Sequence, residues 1–164
     1  YRATVGEECD QADRESRRAT GTCRSILERI VPAMPLDQHP RDLSEGQRLG
    51  LVLAVQLTGD PPLVVLDEPT RGLDGMAKDR LGDLLKELAG AGRAVVVATH
   101  DVEFVARTAH RVLVLADGEV VADGPTADVV VSSPAFAPQV AKVLHPDPWL
   151  TVDDVADALA GADR

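Results

Sequence analysis

Aromatic side chains are almost missing from this chain, which carries one Trp, one Tyr and two Phe in 164 residues. That excludes a core built on rings and any platform on which nucleobases stack in succession. Cysteine is scarcer still, with Cys9 and Cys23 alone. Neither a C-x-x-C pair nor a disulfide-dense pattern appears, so both are expected as plain thiols in a reducing, cytosolic setting. Bases are outnumbered, 17 Lys and Arg against 27 Asp and Glu, for a formal net charge of -10. A phosphate backbone is bound through clustered cations, so no nucleic-acid partner is expected. Long hydrophobic runs are lacking too: the longest apolar window, residues 49–57, is broken by Gln56 and is too short to cross a bilayer. No charged-apolar-small targeting pattern opens the sequence, so any membrane association is expected through a partner. What is abundant is Val, Leu and Ala within a 45% hydrophobic content, the composition of a parallel sheet covered by helices in about one domain.

Residues 1–31 read as mostly helical and polar, with Ile26, Leu27, Ile30 and Val31 as an apolar stripe. Pro32, Pro35 and Pro40 punctuate a loop, and Ser44 then stands as a natural N-cap with Gln47 placed to complete a capping box. The next helix is apolar on nearly every face over residues 49–57, which predicts burial on several sides. Leu63-Val64-Val65-Leu66, an all-apolar run between breakers, predicts a central strand buried on both faces. Leu81, Leu84, Leu85 and Leu88 mark an amphipathic helix ending at Gly90 and Gly92. Residues 94–98 read as a second buried strand, 102–109 as a helix, and 112–115 with 119–122 as a hairpin around Asp117-Gly118. A short helix follows, then a Pro-rich passage through Ser133-Pro134, Ala137-Pro138 and His145-Pro146-Asp147-Pro148-Trp149. Trp149 there either packs the tail onto the domain or anchors a partner. A last helix over 151–160 starts with Thr151 as N-cap and Asp154 three residues on. His39, His110 and His145 are dispersed without metal-ligand spacing.

Three strings stand in a fixed order: Leu43-Ser44-Glu45-Gly46-Gln47, then Leu63-Val64-Val65-Leu66-Asp67-Glu68-Pro69, then Thr99-His100-Asp101. A helix start presents unpaired N–H groups and a favourable dipole, so Ser44 with the backbone N–H groups of Gly46 and Gln47 can bind phosphate. The same residues also read as an ordinary capped helix. Asp67 and Glu68 end a buried strand at the carboxyl edge, where open parallel sheets bind ligands. Two acids there cost desolvation energy unless a cation offsets it, and the alternative is a strand end that merely starts the turn before Pro69. His100 lies just beyond the second strand, able to bond a phosphate or to be a satisfied polar residue. Asp74 in Gly72-Leu73-Asp74 is, on its own, a turn residue.

In that order the three strings resemble the second half of an ATP-binding cassette (ABC) ATPase, over about residues 4–159. The resemblance implies an α/β fold: the carboxyl-terminal part of a P-loop NTPase parallel sheet with helices on both faces, preceded by part of a helical subdomain. It divides the chain into an incomplete nucleotide-binding domain, 1–143, and a tail with a short helix, 144–164. Within the former, 1–58 is part of the helical subdomain with the signature helix, and 59–143 runs from the Walker B strand to the end of the core. It assigns Ser44, Gly46 and Gln47 to the γ-phosphate of an ATP held by the other subunit of a dimer, and Asp74 to the loop that touches that subunit. Asp67 would help hold Mg²⁺ through water, Glu68 would polarise the attacking water as general base, and His100 would orient that water and bond the γ-phosphate. Glu45 stands where the commonest family form has Gly.

His39-Pro40-Arg41-Asp42, the string from Glu68 to Asp74, and Phe136-Ala137-Pro138-Gln139-Val140 are similar to the ATPase subunits of energy-coupling-factor (ECF) importers. That likeness implies a second ABC ATPase domain, as homo- or heterodimer, with a membrane coupling subunit and a substrate-binding subunit for a vitamin or a metal ion. The ATPase would be cytoplasmic, peripheral on the inner face of the cell membrane. No G-x-x-x-x-G-K-[ST] phosphate loop occurs in the 164 residues; by family comparison it would precede Tyr1. Weak ATP affinity and negligible turnover are therefore expected of the chain alone, with its signature helix able to complete a partner's site. Lack of upstream strands is expected to expose sheet edge and apolar surface. The competing expectation is a non-catalytic truncated cassette that acts as an interaction or regulatory fragment.

Overall fold

The computed structural model describes residues 2–131, 137–144, 147 and 149–162. Ser133-Pro134, Phe136, His145-Pro146 and Pro148 lie outside the described residues. The chain forms two compact units, Tyr1–Ala98 and Thr99–Arg164.

The first unit opens with two helices where the sequence suggests one polar helical piece. Helix α1 (Val5–Glu15) is capped by Thr4, whose hydroxyl accepts from the Glu7 N–H, with Glu7 and Glu8 in its first turn and Arg14 in its last, as the helix dipole favours. Helix α2 (Thr22–Ile30) follows the left-handed Gly21 (φ 93) and has no cap from its own N-terminal side chain. The carboxylate of Asp13, on α1, supplies one instead, accepting from the N–H of Gly21 at 2.7 Å and of Cys23 at 2.8 Å. Asp13 is only 2% exposed, so the bonded N–H groups replace the water it loses. Cys9 and Cys23 are buried free thiols, as expected. The stripe read from the sequence packs through Leu27 and Ile30, which are buried.

Helix α3 (Glu45–Thr58) begins with the expected capping box: Ser44 Oγ accepts from the Gln47 N–H at 3.2 Å, and Gln47 Oε1 accepts from the Ser44 N–H at 3.0 Å. It buries Leu51, Leu53, Ala54, Leu57 and Thr58, while Glu45, Arg48, Val52 and Gln56 form a narrow exposed stripe at helical spacing. Helix α4 (Gly75–Gly90) packs with Leu81, Leu84, Leu85 and Leu88 inward and ends where the sequence places its glycines.

Strands β1 (Leu63–Asp67) and β2 (Ala94–Ala98) pair in parallel, Leu63 opposite Ala94 through Asp67 opposite Ala98. One face, with Val64, Leu66, Val95 and Val97, is buried or half-buried, and α4 packs against β2. On the other face Leu63, Val65 and Val96 are 52%, 66% and 52% exposed. The expectation of strands buried on both faces is thus corrected for this pair, because nothing among the described residues of the unit covers that second face.

The second unit starts with α5 (Val102–Thr108), capped by Asp101 through the Phe104 N–H. Strands β3 (Arg111–Ala116) and β4 (Glu119–Pro125) then form the expected antiparallel hairpin. Asp117 (φ 51) and Gly118 (φ 80) are both left-handed, as a type I′ turn requires. Arg111 holds Asp123 across the hairpin at 2.7 Å. Helices α6 (Thr126–Val131), α7 (Gln139–Leu144) and α8 (Val152–Ala162) follow. Val130, Ala137, Ala141 and Leu150 make a small core with Val105, Ala106 and Val112 against it, and Trp149 is half-buried. At α8, Thr151 caps as expected, and the Asp154 carboxylate accepts from the N–H groups of Leu150 and Thr151.

Candidate functional site

The residue types that start a helix decide where polar groups gather in the first unit. Two helices, α3 and α4, begin beside one cleft of about 180 Å³, and its lining includes Ser44, Gly46, Gln47, Gly72, Leu73, Asp74 and Arg80. Four residues chosen from the sequence, Ser44, Gly46, Gln47 and Asp74, therefore line one cleft. The Gln47 N–H, expected to face phosphate, is already given to Ser44 Oγ. The Ser44 oxygen accepts in that bond, which leaves its own O–H to donate. Of the two backbone groups proposed for an anion, the Gly46 N–H is the one left at the helix start.

Asp74, read above as a turn residue and, by resemblance, as part of a partner-touching loop, also has a local role. It is the N-cap of α4, with Oδ1 accepting from the Ala77 N–H at 2.7 Å. The signal was available: an Asp before a run with apolar residues at helical spacing is a helix start. The two helix starts come close because two glycines allow it. A Cβ on Gly46 would lie 3.0 Å from Leu73 Cδ2, and one on Gly72 would lie 2.4 Å from Glu45 Oε2. Gly72 also holds φ 73, a conformation that side chains disfavour. So Gly46 keeps its side-chain-free surface for packing as well as for any ligand.

Asp67 and Glu68 do not line this cleft. Asp67 ends β1 on its open face and is exposed, so the desolvation cost expected of a buried acidic pair does not arise for it; the uncovered sheet face is the reason. Glu68 is half-buried and takes φ 46, which turns the chain sharply off the strand. Its N–H still donates to the Ala98 carbonyl at 2.8 Å, extending the parallel ladder by one bond before the chain leaves. Two tight turns, Arg71 N–H to Glu68 O and Leu73 N–H to Thr70 O, then carry it to Asp74. A left-handed non-glycine residue costs about 1–3 kcal/mol and collects at functional positions. His100 belongs to the second unit, exposed, one residue before the α5 cap.

Among the described residues no group of three or more His, Cys, Asp and Glu is placed to hold a metal ion. A single exposed carboxylate such as Asp67 fits Mg²⁺ of the kind bound mainly through water and phosphate oxygens. Arg80 is the cleft residue that sequence reading passed over. It sits within the polar spacing of an amphipathic helix, and only packing reveals that its Nε is buried.

A family model described as "AAA domain, putative AbiEii toxin, Type IV TA system" matches residues 28–106. The chain is 61% identical over 159 residues to a putative ABC transporter ATP-binding protein of Streptomyces coelicolor, covering 97% of this chain and 28% of that protein. With a counterpart in Streptomyces avermitilis it shares 60% identity over 160 residues, 98% of this chain and 28% of the relative. The chain thus spans little more than a quarter of the length of these curated relatives. Among solved structures, the post-hydrolysis dimer of the ATP-binding cassette MJ0796 with ADP and phosphate matches with a TM-score of 0.65 and 26% identity, over 75% of this chain and 56% of that one. An ATP-binding subunit of an ABC transporter matches in fold, with a TM-score of 0.67 at 21% identity over 85% of this chain and 60% of that one. Both confirm the mixed α/β fold of ABC ATPase cassettes. By sequence and fold together, the chain is similar to a part of ABC transporter ATP-binding proteins and shares the fold of part of an ABC ATPase cassette.

Proposed function

We propose that this stretch supplies the signature helix and the acidic strand end of an ATP-hydrolysing cassette, which works as a dimer in an ABC-type importer. The observation that carries it is the convergence of Ser44, Gly46, Gln47 and Asp74 on one cleft at two helix starts. A hydroxyl, a free backbone N–H and two helix dipoles aimed at one space favour a phosphate group. In this reading Ser44 and Gly46 bind the γ-phosphate of an ATP held by a second cassette, and Gln47 fixes Ser44 by the capping box. Asp74 holds the start of α4 against that partner. Glu68, turned out of the strand by its left-handed backbone, accepts a proton from the attacking water, and His100 orients that water. Mg²⁺, held by Asp67 through water, supplies charge neutralisation to the phosphates when bound.

The ECF-like strings around the signature and after Glu68 support an importer that takes up a vitamin or a metal ion through a membrane coupling subunit and a substrate-binding subunit. The cassette would then sit on the cytoplasmic face of the membrane. No helix among the described residues is long and apolar enough to span it, so a membrane subunit would provide the contact. The test mixes the chain with the full-length Streptomyces coelicolor relative and ATP, and measures phosphate release. A gain that disappears with Ser44→Arg is expected. Absence of any Ser44-dependent gain would reject the cassette role and favour an interaction fragment.

A further inference from the structure

Arg80 projects from α4, six residues beyond Asp74, and lines the same cleft as Ser44, Gly46 and Gln47. Its Nε is buried and has no hydrogen-bond acceptor among the described residues. A guanidinium cannot shed its charge at any accessible pH, so it does not relieve burial by losing a proton, as a lysine or a carboxylate can do by changing protonation state. An unsatisfied donor of a permanent cation is therefore a standing cost that an oxyanion would remove. The carboxylate oxygen of Asp74 that caps α4 is committed to the Ala77 N–H. Leu81, Leu84, Leu85 and Leu88 fix α4 in place, so the arginine is carried on a rigid element.

Those facts narrow the occupant. The cleft offers hydrogen-bond donors, the Ser44 hydroxyl and the Gly46 N–H, and the fixed positive charge of Arg80 beside the Asp74 carboxylate, one oxygen of which caps α4, with apolar walls from Ile30, Leu49 and Leu53. A phosphate matches this set, since its oxygens accept several bonds and suit the planar fork of an arginine. We propose that Arg80 is a phosphate-binding residue of this cleft, holding oxygens of a polyphosphate chain opposite the donors at the start of α3. That the polyphosphate belongs to a nucleotide carried by a second cassette rests on the function proposed above; the phosphate contact itself does not.

Titration of the whole chain with inorganic pyrophosphate, followed by calorimetry, tests the contact. Saturable binding is expected, weakened at least about tenfold by Arg80→Gln and weakened less by Arg80→Lys, which keeps the charge and loses the fork. Circular dichroism of both variants keeps a folding defect apart from a binding defect. Equal affinity in Arg80→Gln, or no pyrophosphate binding up to about 10 mM, overturns the proposal. A second arm repeats phosphate release with the full-length relative. Loss of the gain in Arg80→Gln assigns the phosphates to a nucleotide. An unchanged gain, with pyrophosphate binding still dependent on Arg80, assigns the site to free polyphosphate. A failure of the Ser44 test alone leaves the pyrophosphate result intact, so the two readings fall separately.

Discussion

Glycine 72 carries two separate demands at one backbone position. Its φ of 73 belongs to the left-handed region, and the Glu45 carboxylate occupies the place of a Cβ. Gly72→Ala is expected to destabilise the chain by about 1–2 kcal/mol, nearly all from the dihedral, because the overlapping Glu45 carboxylate is the far end of an exposed side chain and can swing aside. In a Glu45→Ala background the same substitution should again cost about 1–2 kcal/mol, since the dihedral is unchanged there. Urea unfolding of the four variants measures both numbers, and a cost smaller by about 1 kcal/mol or more in the Glu45→Ala background would show that Glu45 is held fast against Gly72. Single residues divide sharply in how far the sequence exposes them. Ser44 and Gln47 are readable because a capping box is closed within four residues. Arg80 is not, because an orphaned nitrogen is a property of what surrounds it, and helical periodicity says only which side it leaves from. Glu68 is readable as an acid at a strand end, but not its left-handed turn, since a proline at 69 biases the preceding residue toward extended backbone.

At the scale of elements, α2 shows where local reasoning stops. The sequence marks its apolar stripe, Leu27 and Ile30, yet its N-terminus has no capping residue of its own. The cap comes from Asp13, eight and ten residues upstream of the donors it binds. Such a bond exists only once α1 and α2 have docked, so no short-range pattern could signal it. Asp13→Ala leaves two buried N–H groups without acceptors and is expected to cost about 2–4 kcal/mol. The neighbouring thiols report the same event. A hydrogen bond to Cys23, and then burial, push the Cys9 thiol upward from its ordinary value, and the thiolate is the reactive form. Cys9 should therefore resist a thiol reagent in the native chain; Cys23, whose thiol the bond with Cys9 shifts downward, is shielded by burial alone, and both should be labelled faster in Asp13→Ala. A urea midpoint within about 1 kcal/mol of the unsubstituted chain, with unchanged labelling, would mean that water replaces the carboxylate at no cost.

For the molecule as a whole, the open face of the β1–β2 pair is the feature that composition could not place. Four consecutive apolar residues identify a strand that some covering layer ought to bury on both sides, but a run without alternation does not say which side is covered within the chain. The parallel register settles it: Val64 and its partner Val95 turn toward the covered side, Val65 and its partner Val96 toward the open one. Together with Leu63 they form an exposed apolar face, and such patches drive association. The prediction follows from the two-residue strand repeat. Val65→Lys should leave stability nearly unchanged and reduce concentration-dependent association, read by light scattering over a dilution series. Val64→Lys, one position away, places an ammonium where only 8% of the residue is exposed and should destabilise by about 3 kcal/mol or more. If Val65→Lys unfolds the chain as readily as Val64→Lys, the second face is covered in solution, and the asymmetry of the pair is lost. If instead both are tolerated, β1 is not held in the register that sets Leu66 against Val97 and carries Asp67 and Glu68 to the strand's carboxyl edge.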